Sequence, residues 1–365
     1  MGSSNIYYNT KYQWGAYIAL FIALAFVPTI IGDDVFLLNQ LSVFGVYAIL
    51  ALSLSLCWGF GGILNLGQGI AFGLGSYGMA MTMQLQSQDY VDDRIPPFML
   101  NNSVTELPWL WELFWNPEIG ILLALGVPTL FAVIFGFLMF RGRVSGPFFA
   151  IMSLALLSAI YMIVTDLQFL TNGSNGITPP DALEVFGVVI DPYDYASYWV
   201  VYVALVGLTI LCKLLTQSKF GLVVQALKND PERVRFLGYS VALYETVIYA
   251  ISAFVAAVAG CCYVILTQYC SNAQFDVVFS ISIVIWAAIG GRGSLLWAMM
   301  GAFIVQGAQS YLGDEFLNAW LLILGFFFII VVRFLPNGLA SIFEALMGAI
   351  SPKDSSATLD NKKAS

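Results

Sequence analysis

An all-α integral membrane protein of about ten transmembrane helices is the fold class the sequence predicts. Three observations carry that prediction. Of the 365 residues, 59% are hydrophobic and 10% charged, whereas a soluble domain holds roughly a quarter charged residues. Ten runs approach the roughly 20 apolar residues that cross a hydrocarbon core of about 30 Å. The period-two alternation of a membrane barrel is absent from them, and in lipid a helix satisfies its own backbone N–H and C=O groups.

Taken in order, the first run, 15–31, follows a single base, Lys11, and no small-x-small cleavage site succeeds it. It reads as a retained span and not as a signal peptide. The second, 36–58, ends in WGFGG, where Gly59, Gly61 and Gly62 permit a tight turn into the third, 62–85. At about 100° per residue, Asn65, Gln68, Phe72 and Ser76 fall on one stripe of that third helix, and Ala71 and Gly75 offer a face for close packing. Runs four to six cover 119–140, 146–165 and 196–215. The seventh, 241–267, carries Glu245 one turn from its start. The eighth, 277–290, is short, as suits a tilted or broken helix. GGRG, with Arg292 among Gly290, Gly291 and Gly293, turns the chain into the ninth run, 294–312, where Gln306, Gln309 and Ser310 form a second polar stripe. The tenth covers 317–335. The five cysteines, Cys57, Cys212, Cys261, Cys262 and Cys270, read as packing residues. A polar tail of mixed charge, read as disordered, ends the chain.

Charge orients these runs and excludes whole classes of function. Fourteen Lys+Arg stand against 22 Asp+Glu, a net charge of −8, and there is no His. Nucleic acid is excluded as a partner, because no basic surface exists for phosphate backbones. Without His, the commonest general base, the HExxH and CxxC metal spacings and any Ser/His pair are missing, so no metal, cofactor or catalytic residue is expected. With the N-terminus in the cytoplasm, 13 of the 14 bases fall on the cytoplasmic side and only Arg94 outside. Both termini are therefore placed inside. The organisation that follows is a cytoplasmic segment 1–14, a transmembrane domain 15–339 and a cytoplasmic tail 340–365.

The longest inner loop, 216–240, contains a short capped helix. Asp230 suits the N-cap, Pro231 the first helical position, Glu232 the positive helix end, and Gly238 the stop about two turns later. Val234 and Leu237 are expected to share one face, with Arg233 and Arg235 elsewhere. An interfacial helix on anionic lipid and a rigid peg for a cytoplasmic partner both fit that pattern.

The stretch GLVVQALKNDPERVRFLGYSVALYETVIYAISAFVAAVAG resembles the coupling segment of permease subunits in the branched-chain amino acid and urea ABC importer family. WGFGGILNLGQGIAFGLGSYGMAM, TNGSNGI and FSISIVIWAAIGGRGSLLWAMMGA resemble further hallmarks of that family, so the resemblance covers about 36–339. The outer insert ELPWLWELFWNP and the ending SYLGDEFLNAWLLILGFFFIIVVRFLPNGL are most similar to the urea-type, larger permease subunit. Two departures stand out: Gln68 where relatives commonly carry His, and Met152-Ser153 where they carry Thr-Gln. The resemblance implies a bacterial inner-membrane permease whose partners are a second permease subunit, two cytoplasmic ATP-binding subunits and a periplasmic solute-binding protein. It also implies that Asp230, Pro231, Glu232, Arg233, Arg235, Leu237 and Gly238 meet the ATPase. The chain itself lacks the GxxxxGKS/T phosphate loop.

Amides are costly in hydrocarbon, so the two polar stripes should face the bundle interior, either bonding helices together or lining a path for a small-molecule substrate. Urea, neutral and rich in donors and acceptors, suits an uncharged amide stripe better than a zwitterion does. By the topology count and the family resemblance, spans two to five and seven to ten are expected to form an inverted repeat offset by five, with a path at their interface. Glu245 reads either as a proton-coupling acid or as a carboxylate paired with Arg233 or Arg235. A stand-alone channel or secondary carrier and a structural membrane subunit are the rival classes.

Overall fold

The computed structural model describes residues 10–32, 34–86, 95–180, 182–185 and 187–312, with 322, 325, 326, 329, 333 and 338–340 beyond them. In chain order the elements are α1 (Thr10–Ile31), α2 (Val35–Leu54, prolonged by a π-helical turn Ser55–Phe60), α3 (Gln68–Gln86), α4 (Pro97–Asn101), α5 (Trp109–Glu112), α6 (Pro117–Arg141), α7 (Pro147–Asp166) and α8 (Gln168–Thr171). A two-stranded antiparallel hairpin follows, β1 (Leu183–Val185) against β2 (Val188–Ile190). Then come α9 (Tyr195–Gln217), α10 (Lys219–Asn229), α11 (Pro231–Phe236), α12 (Val241–Thr267), α13 (Val277–Gly290) and α14 (Leu295–Leu312).

Among the described residues, α1, α2 with its π turn, α6, α7, α9 and α12 are each long and apolar enough to cross a membrane. The eighth and ninth runs become α13 and α14, bent by 117° at GGRG into one further candidate crossing. Most of the tenth run, 317–335, and most of the tail lie outside the described residues.

The third run departs from expectation. Its first residues are not helical: Gly62 takes φ +73°, and the chain stays irregular until α3 begins at Gln68. Asn65 therefore does not lie on the helical stripe. Irregular backbone is tolerated at membrane depth only inside protein, and here hydroxyls supply what a helix would have supplied. The Leu66 N–H donates to Ser153 Oγ (3.1 Å), Ser280 Oγ donates to the Leu66 carbonyl (2.6 Å), and the Gly69 N–H donates to Ser280 Oγ (3.3 Å).

Polar for a span and nearly wholly buried, α3 is enclosed by the rest of the chain, with α12 and α6 as its main neighbours. Of the predicted small-residue face, Gly75 meets α12 closely, and α12 answers with Gly260. A Cβ on Gly75 would stand 2.6 Å from the Ala257 carbonyl oxygen, and one on Gly260 would overlap the Phe72 carbonyl. Thus α3 and α12 meet backbone to backbone. Replacing Gly260 by Leu should destabilise the detergent-solubilised protein by about 1–3 kcal/mol. Gly207→Ala, where no atom lies within 4 Å of the added carbon, should leave the melting temperature unchanged. Equal melting of both variants would refute the backbone contact.

Candidate functional site

The polar residues of α3 converge on one buried knot. Gln68 donates through Nε2 to Ser53 Oγ (2.7 Å) and Ser252 Oγ (3.1 Å), and its Oε1 accepts from Asn65 Nδ2 (2.5 Å). Ser252 Oγ donates to the Ser53 carbonyl at 2.7 Å, and Asn65 Oδ1 accepts from the Gly67 N–H at 3.0 Å. The knot therefore ties α2, the irregular segment, α3 and α12. Asn65, Gln68, Ser53 and Ser252 are all buried. One turn further along α3, Phe72 is fully buried, with ring centroids of Tyr263 at 5.5 Å and Phe279 at 5.2 Å. Ser76 Oγ donates to the carbonyls of Phe72 (2.9 Å) and Gly260 (3.2 Å). No Asp, Glu, Lys or Arg is buried among the described residues. The column is thus polar but uncharged.

The second stripe is not joined to the first. On α14, which packs mainly on α2 and α13, Gln306 is buried, Gln309 is exposed, and Ser310 Oγ accepts from Gln40 Nε2 of α2 at 2.6 Å. Gln309 leaves the expected face because α14 presents that side outward.

On the cytoplasmic loop, Asp230 Oδ1 accepts from the Arg233 N–H at 3.1 Å, Pro231 opens α11, and Gly238 follows its end with φ +88°. The cap and stop stand as expected. Two details differ. Val234 is buried but Leu237 is 75% exposed, because α11 ends at Phe236 and helical spacing no longer holds beyond it. Arg233 pairs with Asp230 (2.7 Å) and Arg235 with Glu232 (2.6 Å), so neither forms a salt bridge with Glu245. Phe236, 89% exposed, and Leu237 are adjoining exposed apolar residues that follow these ion pairs in the chain.

The sequence reading missed α10, capped by Ser218 Oγ accepting from the Gly221 N–H (3.2 Å) and seated on buried Val224 and Leu227. Its signals were Ser218 and apolar residues three apart. Cys270 is a buried free cysteine, as a packing residue should be, and its backbone bridges that of Ile177 in TNGSNGI by two hydrogen bonds of 2.7 and 3.0 Å.

Residues 36–332 match the family model described as the branched-chain amino acid transport system / permease component. The chain belongs to that family. Its apolar helices and its membership make it a multi-pass membrane permease. It is 22% identical to a probable branched-chain amino acid transport permease protein LivM of Methanocaldococcus jannaschii, over 81% of this chain and 90% of that one. It is 24% identical to the high-affinity branched-chain amino acid transport system permease protein LivM of Escherichia coli K12, over 80% and 67%. The fructose import permease protein FrcC of Rhizobium meliloti is 26% identical over 64% and 65%. No solved structure matches the chain.

Within this permease, Gln68 is a bonding centre as well as a candidate pathway residue. Gln68→Ala removes the acceptor of Asn65 Nδ2 and the amide donor that Ser53 Oγ and Ser252 Oγ accept from, and such losses cost about 1–3 kcal/mol. Thermal unfolding in detergent should show that loss; a melting temperature equal to wild type would mean that the knot does not hold the helices.

Proposed function

We propose that the permease is the non-catalytic, membrane-spanning subunit of an ATP-driven importer that moves urea from periplasm to cytoplasm. The uncharged polar column around α3 carries the substrate reading. A zwitterion needs charged or strongly polar partners when desolvated, and none of the buried side chains described is charged. Urea needs only donors and acceptors of the kind Asn65, Gln68 and Ser76 offer, with the Phe72 ring shielding its plane. Gln306, Gln309 and Ser310 would continue the path on α14. A second reading, branched-chain amino acids, is supported by the names of the LivM relatives.

In this proposal ten spans place both termini in the cytoplasm of a bacterial inner-membrane protein, and two inverted halves rock about the path. The domain is 15–339, flanked by cytoplasmic 1–14 and 340–365, and the loop 216–240 is its drive point. The ATP-binding subunits dock on residues 230–238, where Phe236 and Leu237 offer exposed apolar anchors beside the two ion pairs of α11. A second permease completes the pore, and a periplasmic binding protein delivers the solute.

Proteoliposomes holding the full complex and binding protein should take up labelled urea only with ATP inside, and excess leucine should not compete. Leucine uptake without urea uptake would move the assignment to amino acids, and uptake by the isolated chain without ATP would remove the importer reading. Phe236→Asp combined with Leu237→Asp should cut copurification of the ATPases at least tenfold while the chain still inserts. Undiminished copurification would place the docking surface elsewhere.

A further inference from the structure

The α2 helix ends in a π-helical turn, and the last carbonyls of a helix lack intrahelical partners and carry its negative dipole end. Lys228 of α10 answers that end. Its Nζ donates to the Gly59 carbonyl at 2.5 Å. Its stem lies against Gly62, where an added Cβ would stand 2.9 Å from Lys228 Cγ. Burial, and secondarily the Arg292 cation, lowers the Lys228 pKa from the usual lysine value.

The same turn holds the second glycine break. Ser55 Oγ donates to the Arg292 carbonyl (3.1 Å), the Arg292 guanidinium lies 5.1 Å from the Trp58 ring centroid, and a Cβ on Gly59 would collide with the Arg292 carbonyl. On the other side, Leu227 of α10, Val234 of α11 and Val241 of α12 share one apolar cluster. A displacement of α11 is therefore carried to α10, which holds Lys228 in its last turn.

We propose that Lys228 is the positioning residue through which movement of the cytoplasmic loop reaches the membrane domain, by holding the Gly59 carbonyl at the π-helical end of α2. The inference rests on the importer reading above. Through Gly59 the pull reaches both the α2–α3 break and the α13–α14 bend.

The test uses the assembled complex with Lys228→Met, which keeps the stem and removes the charge, and Lys228→Arg, which keeps a cation. In the Met variant assembly should persist and ATP hydrolysis stay within twofold, while solute moved per ATP falls at least tenfold. The Arg variant should recover at least half of it. In the full-length permease, hydrogen exchange of the Gly61, Gly62 and Ile63 amides, which close the π turn, should quicken severalfold in the Met variant. Unchanged solute per ATP, unchanged exchange, or loss of assembly in both variants would each overturn the coupling role while leaving ATP-driven uptake by the unsubstituted complex intact. Absence of that uptake would overturn the importer reading, and the coupling role with it.

Discussion

Lipid offers no hydrogen bonds, so the places where this chain stops being helical decide how the rest is arranged. Residues 62–67 are the clearest instance. Their exposed backbone groups cannot face hydrocarbon, and they are surrounded by α7, α13 and the knot of Asn65, Gln68, Ser53 and Ser252. Serine hydroxyls do the work that water would do in a soluble protein: Ser153 accepts from the Leu66 N–H and Ser280 donates to the Leu66 carbonyl. Once that segment must be enclosed, α3 must be enclosed as well. Its glutamines Gln68 and Gln84 are then held inside protein, where their amides can be bonded.

Enclosure sets the packing distance. Between α3 and α12 the contact is backbone on backbone, since neither Gly75 nor Gly260 has room for a Cβ. Close approach lets Ser76 reach the Gly260 carbonyl across the interface, and it strengthens dispersion contacts that replace a hydrophobic driving force between helices in a bilayer. The knot and the glycine face are thus two parts of one device. The amides fix the register along the helices, and the glycines fix the spacing between them.

Much of this was legible in the sequence where one strong local rule operated alone. Apolar length located α12 and α13 with the bounds observed, and Asp230, Pro231 and Gly238 specified α11. The start of α3 was illegible because the run 62–85 is apolar from end to end, so length argued for helix while the freedom at Gly62 to adopt φ +73° argued against it. Ser53, Ser153, Ser252 and Ser280 were invisible because a serine in an apolar helix bonds its own preceding turn as readily as a distant partner. Ser153 does both, donating to the Ala150 carbonyl and accepting from Leu66. Leu237 was placed on the wrong side because a spacing rule was extended one residue past a helix end. Sequence order could not say that WGFGG and GGRG, more than 200 residues apart, share one junction.

That junction has a mechanical consequence. Side chains that interdigitate resist sliding, because each must leave its groove before the helices can shift. Gly59 beside Arg292 has no side chain to interdigitate, and the contact is made of a carbonyl, a Cα and a hydroxyl. The two breaks are therefore held by a few directional bonds and by the Arg292 ring contact, a combination that tolerates small reorientations while keeping its partners in register. By contrast, α3 and α12 are locked over several turns. On the coupling role proposed for Lys228, a push therefore bears first on this junction and on the segment 62–67 that leads from it to Asn65, while the backbone contact of α3 with α12 holds its spacing.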